Sequence, residues 1–181
     1  EGQVTALGTA NIRLRGNTTL NYDKKAYALK LDTKAGLLGM PSDKRWDLLA
    51  NFVDRTRIRN HVALEMGRRV SGLDWTPKGQ FVELYLNGVH MGNYYLVEHI
   101  KVGKKRVNIT EMKAGDTDLS GGYLMEMGIE YDEPYQFSTE WFPDLYPGNR
   151  HFKANGQYHL PVMIKSPEDE NMDNSKLQWI E

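Results

Sequence analysis

The chain has 181 residues, a formal net charge of −1 and no cysteine. Near-neutrality excludes a whole-molecule field for nucleic acid or anionic membrane, and no apolar run is long enough to span a bilayer. The lack of cysteine removes disulfides, thiolate nucleophiles and Cys-based zinc sites.

The sequence opens on Glu1-Gly2-Gln3 and closes on Gln178-Trp179-Ile180-Glu181, with neither an initiator Met nor a signal segment. It is expected to be a fragment or a processed chain. Residues 4–15 read as a strand, because Ile12 and Leu14 alternate with Arg13 and Arg15. Gly16-Asn17-Thr18-Thr19 breaks it, and residues 27–31 form a second strand with Leu29 and Leu31 on one side. A turn over 37–41 and a short apolar run at 46–50 follow.

Asp54 is placed to N-cap a helix over 55–70, with Gly72 as its stop. Ile58, Val62, Ala63, Met66 and Val70 fall on one arc of that helix, which predicts its core face. Arg59 projects near the middle of the arc, and a guanidinium there needs a carboxylate, carbonyl cluster or phosphate.

The clearest local signal is the stretch 81–98. Two runs rich in β-branched and aromatic residues flank Asn87-Gly88, the pair that best supplies the positive φ angles of a two-residue hairpin turn. That turn predicts Leu86 opposite Val89 and Leu84 opposite Met91, and leaves Glu98 at the end of an apolar strand. A basic turn (101–106), short strands at 107–110 and 123–127, a last strand at 161–165 and the start of a helix at 172–181 complete the pattern. The class is α+β: a mainly antiparallel sheet with a central hairpin and one packed helix. We read residues 1–181 as a single domain, with a core over 4–127. Residues 128–160 are an aromatic-rich excursion containing Tyr131, Tyr135, Phe137, Trp141, Phe142, Tyr146, Phe152 and Tyr158.

Several residues have both a structural and a functional reading. Arg15-Gly16-Asn17-Thr18-Thr19 is either an ordinary inter-strand loop or a turn whose N–H groups, hydroxyls and Arg hold a phosphate. Lys24-Lys25 is either a solvated pair or a source of a phosphate-contacting ammonium. Glu65 is either a structural ion-pair partner or a helix-borne carboxylate that fixes a strand-borne Lys, as in protein kinases. Arg59 and Asn60 call for a specific partner, structural or phosphate-bearing. Glu98 is either a capping acceptor or a ligand contact. The five His show no metal-ligand spacing. The basic turn lacks the aromatic interleaving of a nucleic-acid patch. No metal ligands, and no nucleic-acid partner, are expected from this chain.

Taken in order, these motifs resemble the CotH family. The matching residues are Arg15-Gly-Asn-Thr-Thr19, Lys24-Lys25-x-Tyr27-x-Leu29-Lys30, Leu38-Gly-Met40, Trp46-x-Leu-Leu-Ala-Asn51-x-x-Asp54 and Arg59-Asn60. They continue with the 81–98 hairpin ending on Glu98, Arg106-Val-Asn108, Gly121-Gly-Tyr123 and Ile164-Lys-Ser-Pro167. The resemblance implies an atypical protein kinase that uses ATP with Mg²⁺ or Mn²⁺ to phosphorylate Ser or Thr of a coat or cell-surface protein. It implies an exported or cell-surface location, and this chain would supply the half resembling a kinase N-lobe. On that mapping Arg15, Gly16, Asn17 and Thr18 cover the phosphates, Lys25 contacts them, and Glu98 sits near the nucleotide. The alternative within the family is a non-catalytic surface-adhesion module that uses the aromatic excursion. Two departures stand out. Lys101 occupies a position three after Glu98 where the family usually carries an acid, and no Trp-Asp-x-Asp segment occurs. No catalytic residue is therefore assigned, the chain alone is expected to transfer no phosphate, and surface left by a missing half is expected to stay exposed or to dimerise.

Overall fold

The structure is a computed structural model. It describes residues 4, 6–70, 72–128, 133–139 and 161–180, and the backbone of 153–154 and 157–158. Tyr131, Trp141, Phe142, Tyr146 and Phe152 of the aromatic excursion lie outside the described residues. The chain divides into two compact units, 1–101 and 102–181. The architecture is α+β, as the sequence pattern predicts.

The first unit contains β1 (Ala10–Arg15), β2 (Ala26–Ala35), β3 (Asp43–Leu49), α1 (Arg59–Arg69), β4 (Gly79–Leu86) and β5 (Val89–Glu98). Its strands form one antiparallel sheet in the order β1-β2-β3-β5-β4. The short run at 46–50 is thus the end of a full central strand. Residues alternate between the sheet's faces. One face carries Tyr27, Leu29, Trp46, Leu48, Tyr94 and Leu96, which with Met40 form the core; Trp46 is fully buried. The register places Arg13, Arg15, Ala28, Lys30, Arg45, Asp47, Tyr95 and Val97 on the other face.

The hairpin turn forms at Asn87-Gly88, with φ of 50° and 79° and Leu86 opposite Val89. The next expected pair does not form. A register shift sets Leu84 opposite Gly92, because Met91 is an extra residue on β5. Gly92 takes φ 82° at this bulge, a conformation that glycine adopts without steric penalty.

Helix α1 differs from the sequence expectation in both its start and its orientation. It begins at Arg59, not residue 55. Asp54 still serves the helix end from a distance: its carboxylate accepts the Thr56 N–H, the Thr56 hydroxyl and the Arg59 N–H. The expected core arc faces outward, with Ile58, Val62, Met66 and Val70 all exposed. The packed face instead carries His61, Leu64, Glu65 and Arg68, the i, i+3, i+4, i+7 row one step round the helix. His61 sits against Phe81 and Tyr95, with Nδ1 3.2 Å from the Tyr95 hydroxyl, and Arg68 donates to the Pro77 carbonyl. Aromatic and polar contacts to β4 and β5 therefore outrank the purely aliphatic stripe.

The second unit holds β6 (Leu124–Met127), β7 (Gln136–Ser138), β8 (Lys153–Ala154), β9 (Gln157–Tyr158), β10 (Pro161–Ser166) and α2 (Asn174–Ile180). Strand β10 lies between β6 and β7 and buries Val162, Met163 and Ile164. Residues 107–110 are not a strand; Val107 makes only an isolated bridge to Val102. Among the described residues no helix is long and apolar enough to cross a membrane.

Candidate functional site

Beside α1 the first unit opens into a cleft of about 520 Å³, within the size range of small-molecule sites. Its charged lining comes from Arg15 at the end of β1, Lys24 just before β2, Asp47 on β3, Glu98 at the end of β5, Asp54 in the loop before α1 and Arg59 at the start of α1.

Strand alternation explains Asp47. With Trp46 and Leu48 directed into the core, Asp47 must point the other way, yet only 4% of its side chain is exposed. Its Oδ1 lies 3.2 Å from Arg15 Nε and its Oδ2 2.9 Å from His99 Nδ1. Among the described residues Oδ1 has Arg15's charge beside it but no donor in hydrogen-bonding line. A buried acceptor of this kind is under-satisfied.

The two lysines part company. Lys25 donates from Nζ to the Leu20 and Tyr22 carbonyls and so fastens the turn between β1 and β2. Lys24 lines the cleft: its ammonium lies 4.4 Å from the centre of the Tyr94 ring and donates to the Asn93 carbonyl. Burial pushes the Lys24 pKa down, the nearby Arg57 charge adds to this, and Glu83 opposes it.

Gly16 introduces the preceding loop at φ 106°, and a Cβ there would collide with the Thr19 side chain. Thr19, after Asn17 and Thr18, is the residue of this turn that lines the cleft. Arg59 does not project into a core. It is largely exposed, 3.6 Å from Asp54 at the cleft edge. Asn60 donates to Asn51, which donates in turn to the Arg57 carbonyl. Glu98 is 2% exposed; its carboxylate accepts the Lys78 N–H, though the residue also borders the cleft. Glu65 pairs with Arg68 and Arg69 on its own helix, which is the structural alternative for that residue. Lys101, where the family usually has an acid, lies 3.9 Å from Asp43.

The structure thus gathers Arg15, Arg59, Asn60 and Glu98 around one cleft, with Thr19 from the loop, and leaves Glu65 outside it. The sequence reading names no site role for Asp47, or for the stacked pair Tyr22 and Phe52, whose ring centres are 5.7 Å apart at the cleft wall, and names Asn51 only as a motif residue. A charged residue between Trp46 and Leu48 was the available signal for Asp47. Nothing local marks Tyr22 or Phe52.

A sheet-and-helix α+β unit with a cation-bearing cleft between sheet and helix defines the class of the protein. The chain belongs to the CotH family: the family model described as CotH kinase protein matches residues 12–159. No curated protein matches the chain at a significant level.

Proposed function

We propose that this chain is the nucleotide-binding part of a CotH-type protein kinase acting on Ser or Thr of a coat or cell-surface protein, with the protein itself exported. The observation that carries this reading is the meeting of Arg15, Lys24 and Arg59 at one cleft inside the region matched by the family model. Guanidinium forks and a lysine point charge are complementary ways of holding phosphate oxygens. Burial, with the Arg57 charge second, disfavours the charged form of Lys24, and a phosphate beside it would offset that cost. Asp47, behind Arg15, holds that guanidinium at the cleft.

ATP, when bound, supplies the transferable phosphoryl group. The residues of this chain bind and orient it, which is most of what phosphoryl transfer asks of a protein. The Mg²⁺ or Mn²⁺ expected for a kinase finds no group of three His, Asp or Glu ligands among the described residues, so no step is assigned to it here. With no Trp-Asp-x-Asp segment in the sequence, the chain by itself is expected to bind nucleotide without transferring phosphate.

Thermal melting with and without ATP and Mg²⁺ tests the reading. ATP raises the melting temperature of the wild type, and Lys24→Ala removes most of that rise. Lys25→Ala lowers the starting melting temperature, by freeing two loop carbonyls, but keeps more of the ATP response. An undiminished ATP response in Lys24→Ala would overturn the assignment, and autophosphorylation of the isolated chain would overturn the claim of inactivity.

A further inference from the structure

The sheet face that carries the cleft continues, past Asp47, into a second groove of about 330 Å³ on β1, β2 and β3. Its polar lining is Asn11, Arg13, Lys30, Arg45 and His99, set around Ala28. Register makes the arrangement unusual. Lys30 lies directly opposite Arg45 on the neighbouring strand, and Arg13 lies opposite Ala28. Directly opposed side chains in an antiparallel pair are about 5 Å apart at Cβ, and like charges there destabilise a sheet.

Carboxylates share this face, but among the described residues none forms an ion pair with Arg13, Lys30 or Arg45. Asp32 accepts the Thr9 hydroxyl, Asp43 accepts the Lys44 and Arg45 backbone N–H groups, and Asp47 is held by Arg15 and His99. Arg13, Lys30 and Arg45 are exposed and, among the described residues, form no ion pair. A sheet that holds three unpaired cations on one small surface is built to receive an anion.

We infer that this groove docks an acidic, extended polypeptide segment, whose carboxylates or phosphates neutralise Arg13, Lys30 and Arg45. Three observations favour a polypeptide. Of the groove's two aromatic rings, Trp46 is fully buried and His99 is mostly buried against Asp47, so neither gives an open platform for stacking a nucleic-acid base. Ile12 is the one exposed large aliphatic residue among those lining the groove, far short of the broad apolar face that membrane-surface binding needs. Finally, β1 is an edge of the sheet, and an extended peptide can add to such an edge through backbone hydrogen bonds while its side chains reach the neighbouring cations. The proposal is independent of nucleotide binding in the adjacent cleft.

Fluorescence anisotropy on the whole chain, with a short Asp/Glu-rich peptide as probe, tests it. The peptide binds and its Asn/Gln counterpart does not; affinity falls as salt rises. Lys30→Glu with Arg45→Glu weakens binding by about tenfold or more. The single change Lys30→Glu replaces a repulsive pair by an attractive one, so it raises the melting temperature by about 2 °C while weakening the peptide. Equal binding by the double variant, or a lower melting temperature for Lys30→Glu, would overturn the proposal. So would an oligonucleotide or a phosphatidylserine vesicle that binds as tightly as the peptide and is lost in the same variant.

Discussion

The two halves of one sheet face have solved opposite problems. Over β4 and β5 the face is closed by α1: Tyr95 is fully buried, its ring centre 4.9 Å from that of Phe81 and 5.7 Å from that of His61. Over β1 to β3 the same face is open and carries Arg13, Arg15, Lys30 and Arg45. The cleft lies where the covered half meets the open one. The difference teaches that the helix is a partial cover. Its reach decides which residues become core and which stay free to meet a ligand.

The contrast breaks most severely at Tyr95. Tyr95→Ala removes the ring on which α1 rests, and an expected loss of about 3–5 kcal/mol is measurable by urea denaturation. Gly79→Ala attacks the same half from the opposite direction. An added Cβ would come within 2.4 Å of the Tyr95 ring, so overpacking is expected to cost about 1–3 kcal/mol. A melting curve unchanged by this variant would show that the covered half has room beside Tyr95 for a methyl group.

Asp54 probes the boundary. The Thr56 hydroxyl and the Arg59 N–H hold its carboxyl below the ordinary value. A folded-state value below the unfolded one gives stability that is present above the unfolded pKa and lost as pH falls through the folded one. Asp54→Asn is therefore expected to be less stable than wild type at neutral pH, with the two converging under acid. Stability curves that stay parallel down to strong acid would contradict the hydrogen bonding described. The smallest effect is expected on the outward arc of α1. Met66→Ala should change stability by no more than about 0.5 kcal/mol, since the side chain is exposed. A core-sized loss there would restore the orientation that the apolar spacing predicts.

Local chemistry alone was enough for the Asn87-Gly88 turn, because few residue pairs tolerate two consecutive positive φ angles. It was also enough for most strand positions, for the α+β class and, through the ordered motifs, for membership of the CotH family. Arg15, Arg59, Asn60 and Glu98 were singled out from their residue types and motifs, and the fold brings all four to the cleft. Other features depended on contacts far apart in sequence. The bulge at Met91-Gly92 shifts a register that the turn alone would set differently. The packed face of α1 was chosen by Phe81 and Tyr95, which no helical periodicity can see. The choice of Lys24 over Lys25 as the cleft lysine followed from the Leu20 and Tyr22 carbonyls, which capture one ammonium and leave its neighbour over Tyr94. Sequence fixes what a residue can do at short range; pairing across strands and packing between sheet and helix decide which of those capacities the cleft receives, because those contacts join groups that the chain itself keeps apart.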